Sequence, residues 1–164
     1  MKSFNFIDTE KKDSVSYIIL NRPEQRNALN GIVIEELISV YKDLADDTET
    51  EFVVIKGNGK AFCAGADLDW MKNAADADYD ENFKGSRKLA GLFNTIYTFP
   101  KVTIAQVHGA VFGGAIGLMA ANDFVIASED SKFAFSEVKL GLIPATIAPY
   151  IVRRTGQYKA LELM

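Results

Sequence analysis

Two glycine-rich segments and one acidic residue are the places in this 164-residue chain where chemistry could be done. The segments are Gly57-Asn-Gly-Lys-Ala-Phe-Cys-Ala-Gly-Ala-Asp67 and His108-Gly-Ala-Val-Phe-Gly-Gly-Ala-Ile-Gly-Leu118. Neither is a nucleotide loop. Gly57-x-Gly59 lacks the third glycine of a dinucleotide fingerprint, and Gly109 to Gly114 has the Walker spacing without its Lys and Ser/Thr. What both offer is a backbone N–H at a turn entering a helix: Ala66 before Leu68, and Gly114 before Ile116. Such amides lack an intrahelical acceptor and can hold an oxyanion. Ala64, Gly65 and Gly113 are small enough to let a ligand approach closely. A pair of tight turns whose glycines supply positive φ explains the same residues without any function.

The acidic residue is Glu137, in Phe133-Ala-Phe-Ser-Glu-Val-Lys-Leu-Gly-Leu-Ile-Pro144, after an expected strand and with apolar residues on both sides. A carboxylate desolvated there would have a raised pKa and suit general acid/base work. A solvated loop glutamate paired with Lys139 is the other reading. The remaining polar residues promise less. His108 is the one histidine and Cys63 the one cysteine, so neither a metal cluster nor a disulfide is expected. Ser136 lacks a nucleophile elbow. His108 reads as a satisfied core histidine, Asp123 as a structural hydrogen-bonding group, and Trp70 and Met71 as packing or pocket wall.

Repeated strand-then-helix units must position these groups. Residues 4–9 and 15–20 read as strands around a charged turn at 10–13. Asn30 is a plausible N-cap for a helix carrying Ile34, Leu37, Ile38 and Tyr41 at i, i+3, i+4 and i+7, with Glu35 and Glu36 near its positive end. Strands are expected at 52–56, 102–107, 124–127 and 132–135. Helices are expected at 68–74, over Leu89 to Tyr97, from about Gly113, and at 147–154, with Glu137 and Pro144 in a loop. Such alternation implies crossover connections and an α/β layer structure within one domain over residues 1–164. Residues 157–164 form helix-prone sequence that stops about two turns in, without a cap, so the chain reads as a fragment lacking a C-terminal part.

Composition narrows the class. At 48% hydrophobic and 24% charged, the chain can fill a core. A net charge of −4 without a basic stripe argues against nucleic-acid binding. From residue 102 to 122 there is no Asp, Glu, Lys or Arg, a length able to cross a bilayer. Its β-branched first half and the break at His108-Gly109 favour a buried strand, a turn and a small-residue helix instead. The N-terminus lacks a secretory or transit signal, so a soluble, cytoplasmic protein is expected.

Taken together and in this order, Asn21-Arg-Pro-Glu-Gln-Arg-Asn-Ala-Leu-Asn30, Ala61-Phe-Cys-Ala-Gly-Ala-Asp-Leu68, His108 to Leu118 and the run 133–144 resemble the crotonase (enoyl-CoA hydratase/isomerase) superfamily. Within it, Ala-Gly-Ala-Asp-Leu-Asp-Trp-Met and Phe-Ser-Glu-Val-Lys-Leu-Gly-Leu-Ile-Pro-Ala-Thr-Ile look most like bacterial methylglutaconyl-CoA hydratases. The resemblance implies a spiral of ββα turns that binds an acyl-CoA thioester. The oxyanion N–H groups fall on Ala66 and Gly114, and the acid/base carboxylate on Glu137. Arg26, Ala28, Ala64, Asp67, Leu68 and Gly113 match positions lining the CoA and acyl groove, several through backbone atoms. Ala145 sits where hydratases often have Gly near the water. No cofactor is implied, since coenzyme A belongs to the substrate. A homo-oligomer, a trimer or a dimer of trimers, is implied for a full-length relative.

The sequence departs from the family's pattern where hydratases commonly carry a second Glu, three residues after the oxyanion glycine: here it is Gly117. Hydration of a short or branched 2-enoyl-CoA is the leading expectation. Double-bond isomerisation needs one carboxylate and is the closest alternative. A catalytically idle piece that folds, associates or binds CoA is the third.

Overall fold

The computed structural model describes residues 4–164, with every side chain except those of Ala75, Lys139 and Leu140. The main sheet has the order β1-β2-β3-β4-β6, from β1 (Ile7–Lys12), β2 (Val15–Leu20), β3 (Phe52–Gly57), β4 (Val102–Val107) and β6 (Phe124–Ala127). β1 and β2 form an antiparallel hairpin, and every later pair is parallel, in registers such as Val15↔Phe52, Phe52↔Val102 and Ile104↔Phe124. Parallel neighbours demand crossovers. α1 (Gly31–Asp46) connects β2 to β3, and α2 (Leu68–Asp76) with α3 (Tyr79–Tyr97) connects β3 to β4. β5 (Ala110–Phe112) and α4 (Gly114–Ala120) lead on to β6, β7 (Lys132–Ala134) follows, and α5 (Ala148–Thr155) and α6 (Gln157–Leu163) close the chain.

A second row of extended backbone runs beside the main sheet. Leu29 bridges Ala66, Cys63 bridges Val111, and β5 pairs in parallel with β7. Each circuit thus passes through the main sheet, then the second row, then a helix. That is the ββα spiral expected from the resemblance, an α/β fold with a mixed sheet.

Local chemistry explains most elements. The Asn30 side chain accepts from Val33 N at 3.0 Å, and Ile34, Leu37 and Tyr41 are fully buried on the face the spacing predicts. Glu36 departs from its expected role: its carboxylate accepts from the N–H groups of Asn5 and Phe6 and ties the N-terminal segment to α1. Asp123 takes the structural role expected of it, accepting from Thr103 N and Oγ1 at 2.9 and 3.0 Å.

Several boundaries move. β1 lies three residues later than expected and runs into a two-residue turn with Asp13 at φ 52°. Ile7 is its one buried residue, so apolar alternation could not locate this edge strand. α3 begins at Tyr79, well before the apolar residues that signal it, on the cap of Asp78. β5 has no counterpart among the expected elements, because three residues take their extended form from pairing with β7. Glu137 lies in a 3₁₀ turn, Ser136–Leu140, closed by Gly141 at φ 70°, rather than in an open loop. His108 is half-buried at a turn, with Nε2 2.9 Å from Gly59 O, and is not a core residue. The uncharged stretch 102–122 divides into β4, β5 and α4, and among the described residues no helix is long and apolar enough to cross a membrane.

Candidate active site

The connector 21–30 and the loop 61–67 build one wall. Pro23–Gln25 form a short 3₁₀ turn, and Arg26 and Asn27 follow with φ of 50° and 56°. Asn27 holds this left-handed pair in place. Buried, it donates through Nδ2 to Asn58 O and Ala61 O, each at 2.9 Å, and accepts from Arg22 N at 2.8 Å. Backbone bonds then lace the two segments: Ala64 N to Arg26 O at 2.9 Å, Leu29 N to Gly65 O at 2.8 Å and Asp67 N to Leu29 O at 2.9 Å. The result is a cavity of about 530 Å³ whose lining includes Arg26, Ala28, Ala64, Ala66, Asp67 and Leu68, together with Lys72 and Phe112. Six of the residues expected to bind substrate or hold its oxyanion therefore share one groove.

Asp67 lines this groove with its carboxylate already engaged. Oδ2 accepts from Arg22 Nη1 at 2.6 Å, while Oδ1 caps α2 by accepting from Asp69 N and Trp70 N at 2.9 and 3.1 Å. The Arg22 guanidinium holds the Asp67 carboxyl below its ordinary pKa. Its backbone is engaged as well, the N–H by Leu29 O and the carbonyl by Met71 N, each at 2.9 Å.

The two glycine turns meet. A Cβ on Gly65, at φ +98°, would lie 2.7 Å from Phe112 O and 3.9 Å from Gly113 Cα. Only a residue without a side chain allows that approach, and Gly113 itself has φ +52°. Ala66 and Gly114, one residue beyond each contact, are thereby brought to one junction. Among the described residues, no backbone carbonyl accepts from the amide of either.

Glu137 arrives at the same junction from the far side. Gly113 N donates to Ala134 O at 3.0 Å, which seats the end of β7 and the following 3₁₀ turn over Gly113. A Cβ on Gly113 would lie 3.1 Å from Glu137 Oε1 and 3.4 Å from Ser136 Oγ. Glu137 is half-buried, and its Oε2 is buried without a hydrogen-bond partner among the described residues. The Lys139 side chain, its alternative partner, lies outside the described residues. Glu137 also lines a cavity of about 470 Å³ with Trp70, Asn73, Asn82, Leu89, Leu142, Ile143, Ala145 and Thr146. Trp70 is thus both packing and pocket wall. Ala145, expected near the water, faces the same cavity as Glu137.

At Gly117 the packing leaves no room for a side chain. A Cβ there would meet Ile147 Cγ2 at 2.2 Å and Phe93 Cζ at 2.9 Å. The space is filled by hydrocarbon. Cys63 is fully buried, which pushes its thiol up to about 12. Among the described residues no group of three or more His, Cys, Asp or Glu could hold a metal ion.

Residues 10–164 match the enoyl-CoA hydratase/isomerase family. The chain belongs to that family. Its backbone superimposes on the crystal structure of an enoyl-CoA hydratase from Shewanella pealeana with a TM-score of 0.96 at 40% identity, over 98% of this chain and 61% of that one. The enoyl-CoA hydratase AKT6-1 of Alternaria alternata is 36% identical over 85% of this chain and 45% of its own length. The 3-hydroxyisobutyryl-CoA hydrolase 1 of Arabidopsis thaliana is 34% identical over 98% of this chain and 44% of its own length. This chain therefore spans about half to three-fifths of the relatives it matches. Family relatives at this level of identity are named for hydration and for hydrolysis of CoA esters, so membership leaves the reaction to be argued from the site.

Two residues that shape this site carry no signal of their role in the sequence. Arg22 and Asn27 lie inside the motif 21–30, but their partners are 45 and 31 positions away.

Proposed function

We propose that the protein hydrates a short or branched 2-enoyl-CoA through an oxyanion-stabilised thioester enolate. The observation that carries this reading is the convergence on Gly113 of the Glu137 carboxylate and of Ala66 and Gly114, whose amides have no backbone acceptor among the described residues. A thioester oxygen lodged there would accept from Ala66 N and Gly114 N, which stabilise the negative charge as it develops. The CoA portion would run along the groove of Arg26, Ala28, Ala64, Asp67 and Leu68, and the acyl chain would enter the cavity beyond Gly113. Water adds to Cβ, its proton passes to Glu137, and Glu137 returns a proton to Cα. The step consumes only water and needs no redox cofactor or metal; coenzyme A is part of the substrate.

Methylglutaconyl-CoA is the finer reading. It is supported by the resemblance at 64–71 and 135–147 and by the polar residues Asn73 and Thr146 in the cavity lining, which suit a polar acyl terminus. Cytoplasmic location and self-association belong to the same reading. Exposed Phe124 and Ile126 on the edge strand β6, and exposed Leu161 on α6, support self-association.

The filled space at Gly117 favours a second reading, double-bond isomerisation, in which one carboxylate carries a proton between Cα and Cγ. Incubation of the protein with crotonyl-CoA, 3-methylglutaconyl-CoA and a 3-enoyl-CoA, with products resolved by mass, separates the two. A product heavier by one water supports hydration. An isomer of unchanged mass from the 3-enoyl-CoA, with no hydrated product from any substrate, overturns it.

A further inference from the structure

We infer that Gly85 sets the size of the acyl chain this protein accepts: the side chain it lacks leaves a slot against Trp70 for carbons beyond Cβ. The inference deepens the reading above and rests on its placement of the thioester at Gly113. Glycine inside a helix is unfavourable relative to alanine, because its freer backbone loses more on folding. At Gly65 and Gly117 tertiary packing explains the glycine, since a Cβ would come within 2.7 and 2.2 Å of another atom. No such reason holds at Gly85. It lies within α3 without a positive φ, and a Cβ there would meet Trp70 Cζ2 at 3.9 Å, an ordinary contact distance. A methyl fits the packing, and what it would take up is room in the cavity of Glu137.

Asn82, Gly85 and Leu89 stand at i, i+3 and i+7 on one face of α3, and all three line that cavity. Trp70, Ala74 and Ala77 line it from α2. Of the three positions on the α3 face, Gly85 alone presents no side chain, so the cavity reaches the helix backbone there. An acyl group whose thioester oxygen lies at Gly113 has Cα and Cβ beside Glu137. The carbons beyond Cβ are then the ones that reach α2 and α3. A crotonyl chain, with one such carbon, makes little use of the slot. A longer chain lays its end against the Trp70 ring and buries apolar surface there. The substrate class is therefore a 2-enoyl thioester whose chain continues past that of crotonyl-CoA.

The test uses Gly85→Ala and Gly85→Leu, with Gly91→Ala on the exposed side of the same helix as control. One readout is kcat/KM for hydration of 2-hexenoyl-CoA against crotonyl-CoA. The other is affinity for hexanoyl-CoA against butyryl-CoA by calorimetry, which needs no reaction. Gly85→Leu should lower both ratios by about tenfold or more, the worth of space lost in an apolar pocket. Gly85→Ala should shift them in the same direction by less and melt at or above the parent temperature, since the helix gains a better former. Gly91→Ala should leave both ratios at the parent value. A folded Leu variant with parental ratios overturns the assignment. An equal loss on the short and the long chain does so too, since that marks general damage to the site. If Gly85→Leu does not fold, Gly85→Ala decides: parental ratios in that variant overturn the assignment. A parent protein that binds both saturated esters yet hydrates neither enoyl-CoA removes the hydration reading, and the affinity ratio still decides the role of Gly85.

Discussion

The two walls of the site are built by different means. The groove of residues 22–29 and 61–67 is laced by backbone hydrogen bonds, by the buried Asn27 amide and by the Arg22–Asp67 ion pair, so its shape is set by main chain. The cavity beyond Gly113 is walled by side chains of α2, α3 and residues 137–146 that converge from separate segments. A wall made of backbone tolerates side-chain change and suits the part of a substrate that every relative shares. A wall made of side chains can change its lining without disturbing the spiral, and in the reading proposed above that is where acyl selectivity would lie.

Four measurements would break or sharpen this contrast. The largest effect is expected at the side-chain wall: Glu137→Gln keeps shape but removes the titrating group, and turnover should fall roughly 10² to 10⁴-fold. CoA-ester affinity, read by calorimetry, should change little, because the groove is untouched. Turnover at the parent level on every enoyl-CoA offered would remove Glu137 from the mechanism. Next, Gly114→Pro deletes a backbone donor at the first position of α4, where proline is tolerated, and turnover should fall about 10²-fold or more. Ala66→Ser keeps its N–H and should cost far less. Full activity in a folded Pro variant would dissolve the junction as an oxyanion site.

The third and fourth measurements concern stability. Gly117→Ala drives a methyl into Ile147 and Phe93, and thermal unfolding should reveal a loss of about 1–3 kcal/mol. Adding Ile147→Ala, which removes the opposing Cγ2, should give a double variant that loses less than the sum of the two single losses, and a plain sum would mean the crowding lies elsewhere. The smallest effect is expected at Arg22–Asp67. Asp67→Asn keeps an α2 cap and loses the ion pair, at a cost of about 0.5–1 kcal/mol near neutral pH. The folded-state pKa of Asp67 is lowered, so its contribution is complete above the unfolded value of about 3.9 and is lost as pH falls through the folded value. Parent and variant should therefore melt further apart at pH 7 than in acid. A gap that widens in acid would contradict the pairing.

Much of this molecule was legible in one dimension because the signals are local. The cap at Asn30, the apolar face of Ile34, Leu37 and Tyr41, and strands such as 15–20 and 102–107 are written in neighbouring residues. So are the two glycine turns and the suspicion attached to Glu137, which the ordered motifs joined to a family. Other features depend on partners distant in sequence. β5 exists because β7 and Cys63 lie beside it, and Gly65 must be glycine because Phe112 O comes within reach of its missing Cβ. Sequence spacing left Ala66, Gly114 and Glu137 as three separate possibilities. Their meeting at Gly113, and the closing of the space at Gly117 by Ile147, were decided only by tertiary packing, because contacts between residues tens of positions apart leave no periodic trace in the chain.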